Sequence, residues 1–311
     1  MTTTTTKAAF DPGTFTPGNR IFNFSAGPAT LPEEVLRQAQ QDIWNIDDSG
    51  IGILEHSHRG KVFDRVIEQT EADCRKVADI SDDYAVLFLQ GGATTQFDMI
   101  PMNFLDANST ADYPDTGSWT KKAIKEAKLF GKVNVAFDGS QYNYDHTPSD
   151  DELNLTPEAA YLHYCSNNTI FGTRYNTPPK TDAPLVGDMS SEIFSRTLDV
   201  NKHAMIYAGA QKNLGPAGVT LVIIRKDFME RGKENLPIMF DYRQHASKGS
   251  RLNTPPTFGI YFVGQMFRWL LDKGGLDAIE KHNDAKAKLI YDVIDELDFY
   301  SGVASPNAAQ R

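Results

Sequence analysis

Cysteine is scarce: Cys74 and Cys165 are the two in 311 residues. They have no CxxC spacing and cannot frame a disulfide scaffold, which makes a reducing, cytoplasmic setting the simplest one. Long apolar runs are absent too. Val219 to Ile224 is among the longest, far short of the ~20 residues a membrane-spanning helix needs. Basic charge is in deficit, 31 Lys and Arg against 41 Asp and Glu, for a formal net charge of −10. Without a Lys/Arg block the electrostatic footprint for nucleic acid is missing, although an acidic surface can still enclose a local cationic pocket. There is no internal repeat. Residues 1–20 are rich in Thr, Pro and Gly and lack the apolar segment of a secretory signal. With only Lys7 and Arg20 basic, they read as a disordered tail.

The chain as a whole has the composition of a globular protein with a sizeable core, 40 % apolar and 23 % charged. At ~150 residues per domain, its length suits two domains. Thr30 ahead of Pro32, Glu33 and Glu34 predicts a capped helix start, running to about Trp44. Val62, Val66, Ile67, Cys74 and Val77 share one face of a second helix over 61–78. Short apolar runs then follow at 84–89, 111–113, 132–137, 160–165, 183–187, 204–208 and 219–225. Helix-like or loop stretches separate most of them, the pattern of an α/β protein whose mainly parallel sheet is covered on both sides. The last two runs are close enough to pair antiparallel. Helical spacing returns over 258–271 and 276–297, with Gly274-Gly275 between them as a candidate hinge.

In open α/β sheets, ligands bind beyond the carboxyl ends of the strands, and the loops there carry the chemistry. Gly91-Gly92-Ala93-Thr94-Thr95-Gln96 leads from a strand into a helix. Its glycines and helix N-terminus suit an anion, although it is neither a P-loop nor a GxGxxG and an ordinary strand–helix turn has the same look. Trp119 can stack on a planar ring or simply pack. Ser166-Asn167-Asn168-Thr169 offers short hydrogen-bonding side chains that also make turns. Asp188 ends a buried run, where it can cap a following helix or hold a ring nitrogen protonated. Lys212, hemmed by small residues between two strands, is either a hairpin lysine or a nucleophile toward a carbonyl. Together they supply an anion cradle, a ring stacker, a pyridinium partner and an imine-forming lysine, the inventory for pyridoxal 5′-phosphate.

At these residues the sequence resembles the phosphoserine aminotransferases, a family of fold-type-I pyridoxal-phosphate enzymes, from about Ile21 onward. The matching stretches are Phe22-Asn23-Phe24-Ser25-Ala26-Gly27-Pro28, Ser57-His58-Arg59-Gly60, Ser166-Asn167-Asn168-Thr169-Ile170, Tyr207-Ala208-Gly209-Ala210-Gln211-Lys212-Asn213 and Asn253-Thr254-Pro255-Pro256-Thr257. The resemblance implies that Lys212 forms the internal aldimine and shuttles the proton. Asp188 would pair with the pyridine nitrogen, Trp119 would stack on the ring and Thr169 would bond the phenolic oxygen. Ala93 and Thr94 would hold the phosphate, with Gln211 beside them. Asn253 and Thr254 would reach the phosphate bound by the partner in a homodimer with shared sites, while His58 and Arg59 would meet the anionic substrate. The implied reaction converts O-phospho-L-serine and 2-oxoglutarate to 3-phosphooxypyruvate and L-glutamate by a ping-pong route. It serves serine biosynthesis and, as a second role, pyridoxine biosynthesis.

The implied architecture is a large cofactor domain over 21–272 and, over 273–311, the start of a small α+β domain cut before its strands. The alternatives are a truncated, non-catalytic dimeric chain that holds the cofactor, an aminotransferase of the alanine–glyoxylate type, and a cysteine desulfurase. The last would need a cysteine on a mobile loop, and neither cysteine is expected on one.

Overall fold

The computed structural model of the chain describes Arg20 and residues 22–305. The tail expected over 1–20 lies outside the described residues, Arg20 apart, as do residues 306–311. Two helices come first, α1 (Glu33–Trp44) and α2 (Lys61–Val77). An alternating section follows: β1 (Tyr84–Leu89), α3 (Gly92–Phe104), β2 (Thr110–Asp115), α4 (Ser118–Ala127) and β3 (Lys132–Asp138). Next come β4 (Leu162–Cys165), the two-residue strands β5 (Asn167–Asn168) and β6 (Thr173–Arg174), β7 (Leu185–Asp188), β8 (Met205–Gly209) and β9 (Thr220–Arg225). The chain then turns helical through α5 (Lys226–Met229), α6 (Tyr242–Ser247), α7 (Thr257–Asp272) and α8 (Gly275–Glu296).

Seven strands form one sheet in the order β1-β9-β8-β7-β4-β2-β3. β9 runs against both its neighbours, β1 and β8, and the other adjacent pairs are parallel. The expected antiparallel excursion is therefore this one strand. Both faces of the sheet are covered. Tyr84, Val86 and Phe88 of β1 enter one core, with α1, α2, α7 and the start of α8. Ala85, Leu87 and Leu89 enter the other, with α3, α4, α5 and α6. Successive side chains point to opposite faces, and burial on both sides explains why these strands read as unbroken apolar runs. Each large side chain so buried contributes about 1.5–3 kcal/mol.

Thr30 does not cap α1. The helix starts at Glu33 with Pro32 in the cap position and no side-chain cap, while the Thr30 hydroxyl donates to Asn23 O at 2.7 Å. The proline at 32 has no N–H to offer and a φ of −58°, which suits it to the threshold of the helix. Gly274 and Gly275 make the break before α8 with φ of +100° and +75°. Leu276 and Ile279 then join the first core, whereas Leu289, Ile290, Val293 and Leu297 are 47–72 % exposed.

Candidate active site

Strand register gathers the chemistry at one edge. In β4, β7 and β8, Cys165 pairs with Asp188 and Asp188 with Tyr207. Thr220, the first residue of β9, lies opposite Leu89 of β1 on one side and Gly209 of β8 on the other. The turn after β1 and the loop after β8 therefore leave the sheet two strand spacings apart, about 10 Å. Asp115, Cys165 and Asp188 end β2, β4 and β7 at the same edge.

The β8–β9 loop is a single helical turn, with the N–H groups of Leu214 and Gly215 both bonded to Ala210 O. Buried Leu214 and a bond from Asn213 Nδ2 to Ile193 O at 2.7 Å pin it, leaving Lys212 just before them half-buried. Lys212 Nζ donates to Thr169 Oγ1 at 3.4 Å and lies 5.4 Å from the centroid of the Trp119 ring. The segment before α1 crosses over this loop. Ala29 N–H donates to Gln211 O at 2.9 Å, and a Cβ at Gly27 would sit 3.4 Å from Lys212 Cγ. The Gln211 carboxamide folds back on Gly209, where a Cβ would meet it at 2.8 Å.

Asp188 sits beneath, 5 % exposed. No regular helix follows it, so it caps none. Its Oδ1 instead accepts from the backbone N–H and the hydroxyl of Ser190, at 3.0 and 2.6 Å. Burial raises its pKa above the usual carboxylate range, against the lowering pull of the Ser190 bonds, the Lys212 charge and the Tyr207 hydroxyl. Tyr207 in turn shares a 2.8 Å hydrogen bond with His163 Nε2, and burial drives that imidazole down to about 3, keeping it neutral.

Gly91, at φ +88°, precedes α3 and Gly92 opens it at +67°, a left-handed conformation that costs glycine least. A Cβ on Gly91 would come 2.0 Å from Thr95 Oγ1. The Thr95 hydroxyl is spent internally, donating to Gly91 O at 3.0 Å, so of the two threonines only Thr94, exposed, presents its hydroxyl outward. Ala93 and Thr94 lie in the first turn of α3, where backbone N–H groups lack helical acceptors and favour an anion. Asn253 shares a recess of about 200 Å³ with Gly91 and Thr95, and Thr254 beside it is exposed.

His58 and Arg59 stand apart, in the turn closed by Gly60 N–H to Ser57 O just before α2. Arg59 is exposed. Among the described residues its side chain enters no hydrogen bond or ion pair, and His58 Nε2 is buried without a partner. The structure thus brings Lys212, Thr169, Trp119 and Asp188 together, sets the Ala93–Thr94 turn and Asn253 along the same edge, and leaves the His58-Arg59 turn outside the bonded group.

Ser190 and His163 escape the sequence reading, and Tyr207 and Asn168 enter it only within matching stretches, with no role of their own. Buried Asn168 bonds Thr116 Oγ1 through Nδ2 at 3.2 Å, tying the Thr169 hairpin to the turn that leads into α4, whose first turn carries Trp119. A serine two positions after a strand-end aspartate, the spacing at which its N–H and hydroxyl can meet the carboxylate, is the signal that points to Ser190. Cys74 lies in α2 and Cys165 in β4, and burial raises the pKa of both thiols, which suits inert structural cysteines.

A buried carboxylate pulled toward its charged form by a lysine, an indole face beside that lysine, and a glycine-led helix start fit pyridoxal phosphate: a pyridinium partner, a ring wall and an anion cradle. Residues 21–311 match the class-V aminotransferase family. The phosphoserine aminotransferase of Desulfotalea psychrophila is 52 % identical over 282 residues, covering 91 % of this chain and 78 % of that one. The structure of phosphoserine aminotransferase from Bacillus circulans subsp. alkalophilus superposes with a TM-score of 0.91 at 46 % identity, over 94 % of this chain and 81 % of that one. The pyridoxal-phosphate-bound enzyme of Trichomonas vaginalis gives 0.88 at 39 % identity, over 93 % and 82 %. With its fold-type-I sheet, its lysine loop and these relatives, the chain belongs to the class-V aminotransferases and, within them, to the phosphoserine aminotransferase family.

Proposed function

We propose that this chain transfers the amino group of O-phospho-L-serine to 2-oxoglutarate, giving 3-phosphooxypyruvate and L-glutamate, by a ping-pong route in serine biosynthesis. The observation that carries this is Lys212 Nζ held between the Thr169 hydroxyl and the Trp119 ring, above buried Asp188. Pyridoxal phosphate, when bound, supplies an electron sink for the carbon from which a proton is removed. Lys212 would hold the cofactor through Nζ, and the same amine would carry that proton. Trp119 covers the ring and keeps water from it, Thr169 bonds the phenolic oxygen, and Asp188 keeps the ring nitrogen protonated. Ala93 and Thr94 hold the phosphate through first-turn N–H groups, with Gln211 alongside.

His58 and Arg59 meet the substrate's anionic groups, the guanidinium offering a bidentate fork. Both substrates are multiply anionic, so Arg59 supplies local positive charge in a chain that carries −10 overall. The reading extends to a cytoplasmic homodimer in which Asn253 and Thr254 reach the partner's cofactor phosphate. It also covers a large domain over 21–272 with 273–311 opening a second, and a further role in pyridoxine biosynthesis. Among the described residues no helix is long and apolar enough to cross a membrane.

The test is glutamate formation from phosphoserine and 2-oxoglutarate, against alanine as donor. A clear preference for phosphoserine is expected. Equal rates with alanine would favour the alanine–glyoxylate type, and a chain that binds the cofactor without turnover would be the non-catalytic alternative.

A further inference from the structure

One hydroxyl touches both halves of the cofactor floor. Ser190 donates to Asp188 Oδ1 through Oγ at 2.6 Å and through its backbone N–H at 3.0 Å. The same Oγ accepts the backbone N–H of Gly209 at 3.1 Å. Gly209 ends β8 and opens the loop that carries Lys212. A serine hydroxyl has one proton to give. With Gly209 occupying an acceptor direction, that proton is committed to Asp188. Both Ser190 bonds converge on Oδ1, which leaves Oδ2 as the oxygen to serve a ring nitrogen.

We propose that Ser190 is a positioning residue: it orients the Asp188 carboxylate toward the cofactor's ring nitrogen and locks that orientation to the strand end from which the Lys212 loop departs. The proposal rests on the reading that Asp188 meets this nitrogen. Burial alone would favour a neutral Asp188. The groups facing it are Tyr207 from β8, Cys165 from β4, Lys212 from the β8–β9 loop and Ser190 itself. Of these, Lys212 supplies the charge that opposes burial, Ser190 supplies two hydrogen bonds to Oδ1, and the Tyr207 hydroxyl adds a smaller pull in the same direction. Charge-assisted bonds of this kind are the strong ones. Removing the hydroxyl takes one of them away and leaves the Gly209 N–H unpaired beside the lysine loop.

The test is the dissociation constant of pyridoxal phosphate from the holoenzyme by equilibrium dialysis, with the pH dependence of the bound cofactor's absorbance as second readout. Ser190→Ala is expected to weaken binding about tenfold or more, in line with loss of a bond to a charged group, and to shift the absorbance titration. Ser190→Thr, which keeps the hydroxyl, should restore both to within about twofold of the unaltered protein, since it retains the donor. Asp188→Asn should weaken binding more than Ser190→Ala. The double variant should be no weaker than Asp188→Asn alone, because one group acts through the other.

Three results would overturn the proposal: an unchanged constant in Ser190→Ala, full additivity in the double variant, or a Thr variant as weak as the Ala variant. If Ser190→Ala does not fold, Ser190→Cys, similar in bulk and a weak donor, carries the same expectation. An Asp188→Asn protein with unaltered affinity and spectrum would instead refute the reading of Asp188, whatever Ser190 does.

Discussion

Asp188 and Arg59 are both assigned to meet an opposite charge, yet the protein treats them in opposite ways. Asp188 is buried, bonded twice by Ser190, and flanked by Lys212 and Tyr207. Arg59 is exposed on the turn before α2, and among the described residues its side chain has no bonded partner. On the proposed assignment, the fold itself organises the cofactor side, whereas the substrate-side guanidinium is exposed with no bonded partner among the described residues. That division suits a site that keeps one molecule through every turnover and exchanges the other. Preorganised charges keep their value through the reaction, while an exposed guanidinium loses rotamer freedom only on binding.

Removing the floor's reactive group should have the largest effect. Lys212→Ala should lower turnover of phosphoserine by at least about 10⁴-fold, since nucleophile and proton carrier are lost together. The check is single-turnover glutamate formation. Activity within about 100-fold of the parent would remove Lys212 from the chemistry. On the substrate side the effect should be smaller and of another kind. Arg59→Ala should raise KM for phosphoserine about 10- to 100-fold with kcat little changed, as loss of a bidentate charged contact does. Arg59→Lys should recover only part of this. A fall in kcat at constant KM would place Arg59 with the floor and erase the distinction.

Two buried histidines, His163 beside Tyr207 and His203 just before β8, give the fold a pH signature. Burial lowers His163 to about 3 and His203 to about 4, whereas both take a proton near 6.5 when unfolded. The unfolded chain therefore binds more protons between pH 6.5 and about 4, and stability falls as the pH falls through that window. The slope is up to about 1.4 kcal/mol per pH unit for each histidine. His163→Gln should remove about one histidine's share of that slope in urea titrations at successive pH values. An unchanged slope would mean that His163 is already accessible to protons in the folded state.

How far the sequence revealed these regions follows from where their partners lie. The seven sheet strands were legible because two-sided burial makes them apolar runs, and Lys212, Asp188, Trp119 and Thr169 because each stands at a strand end among small or polar neighbours. The β5–β6 hairpin, two residues per strand, is too short to show any period. Thr30 carries a cap residue's identity, but the following proline sets the start of α1 and its hydroxyl turns back to Asn23. Ser190 lies two positions after Asp188, yet its bond to Gly209 spans nineteen positions, and the His163–Tyr207 bond spans 44. Local pattern carries no trace of such pairings; only the order of the strands creates them.

The smallest expected effect lies within one helix. The spacing of Ile279, Leu289, Ile290, Val293 and Leu297 marks a single apolar stripe on α8, but the structure divides it. Ile279 is 8 % exposed and packs in the first core, while Leu289 is 72 % exposed. Ile279→Ala should therefore cost about 2–4 kcal/mol, as a deletion that leaves a core cavity. Leu289→Ser, lying in water on both sides of the folding equilibrium, should change stability by no more than about 0.5 kcal/mol. Urea unfolding of the two variants at low protein concentration measures both. A Leu289→Ser cost that grows with protein concentration would mean that a second copy covers this face, because only association makes stability depend on concentration. The stripe would then be a contact surface, with its two ends buried by different means: Ile279 by the chain's own core and Leu289 by a neighbour.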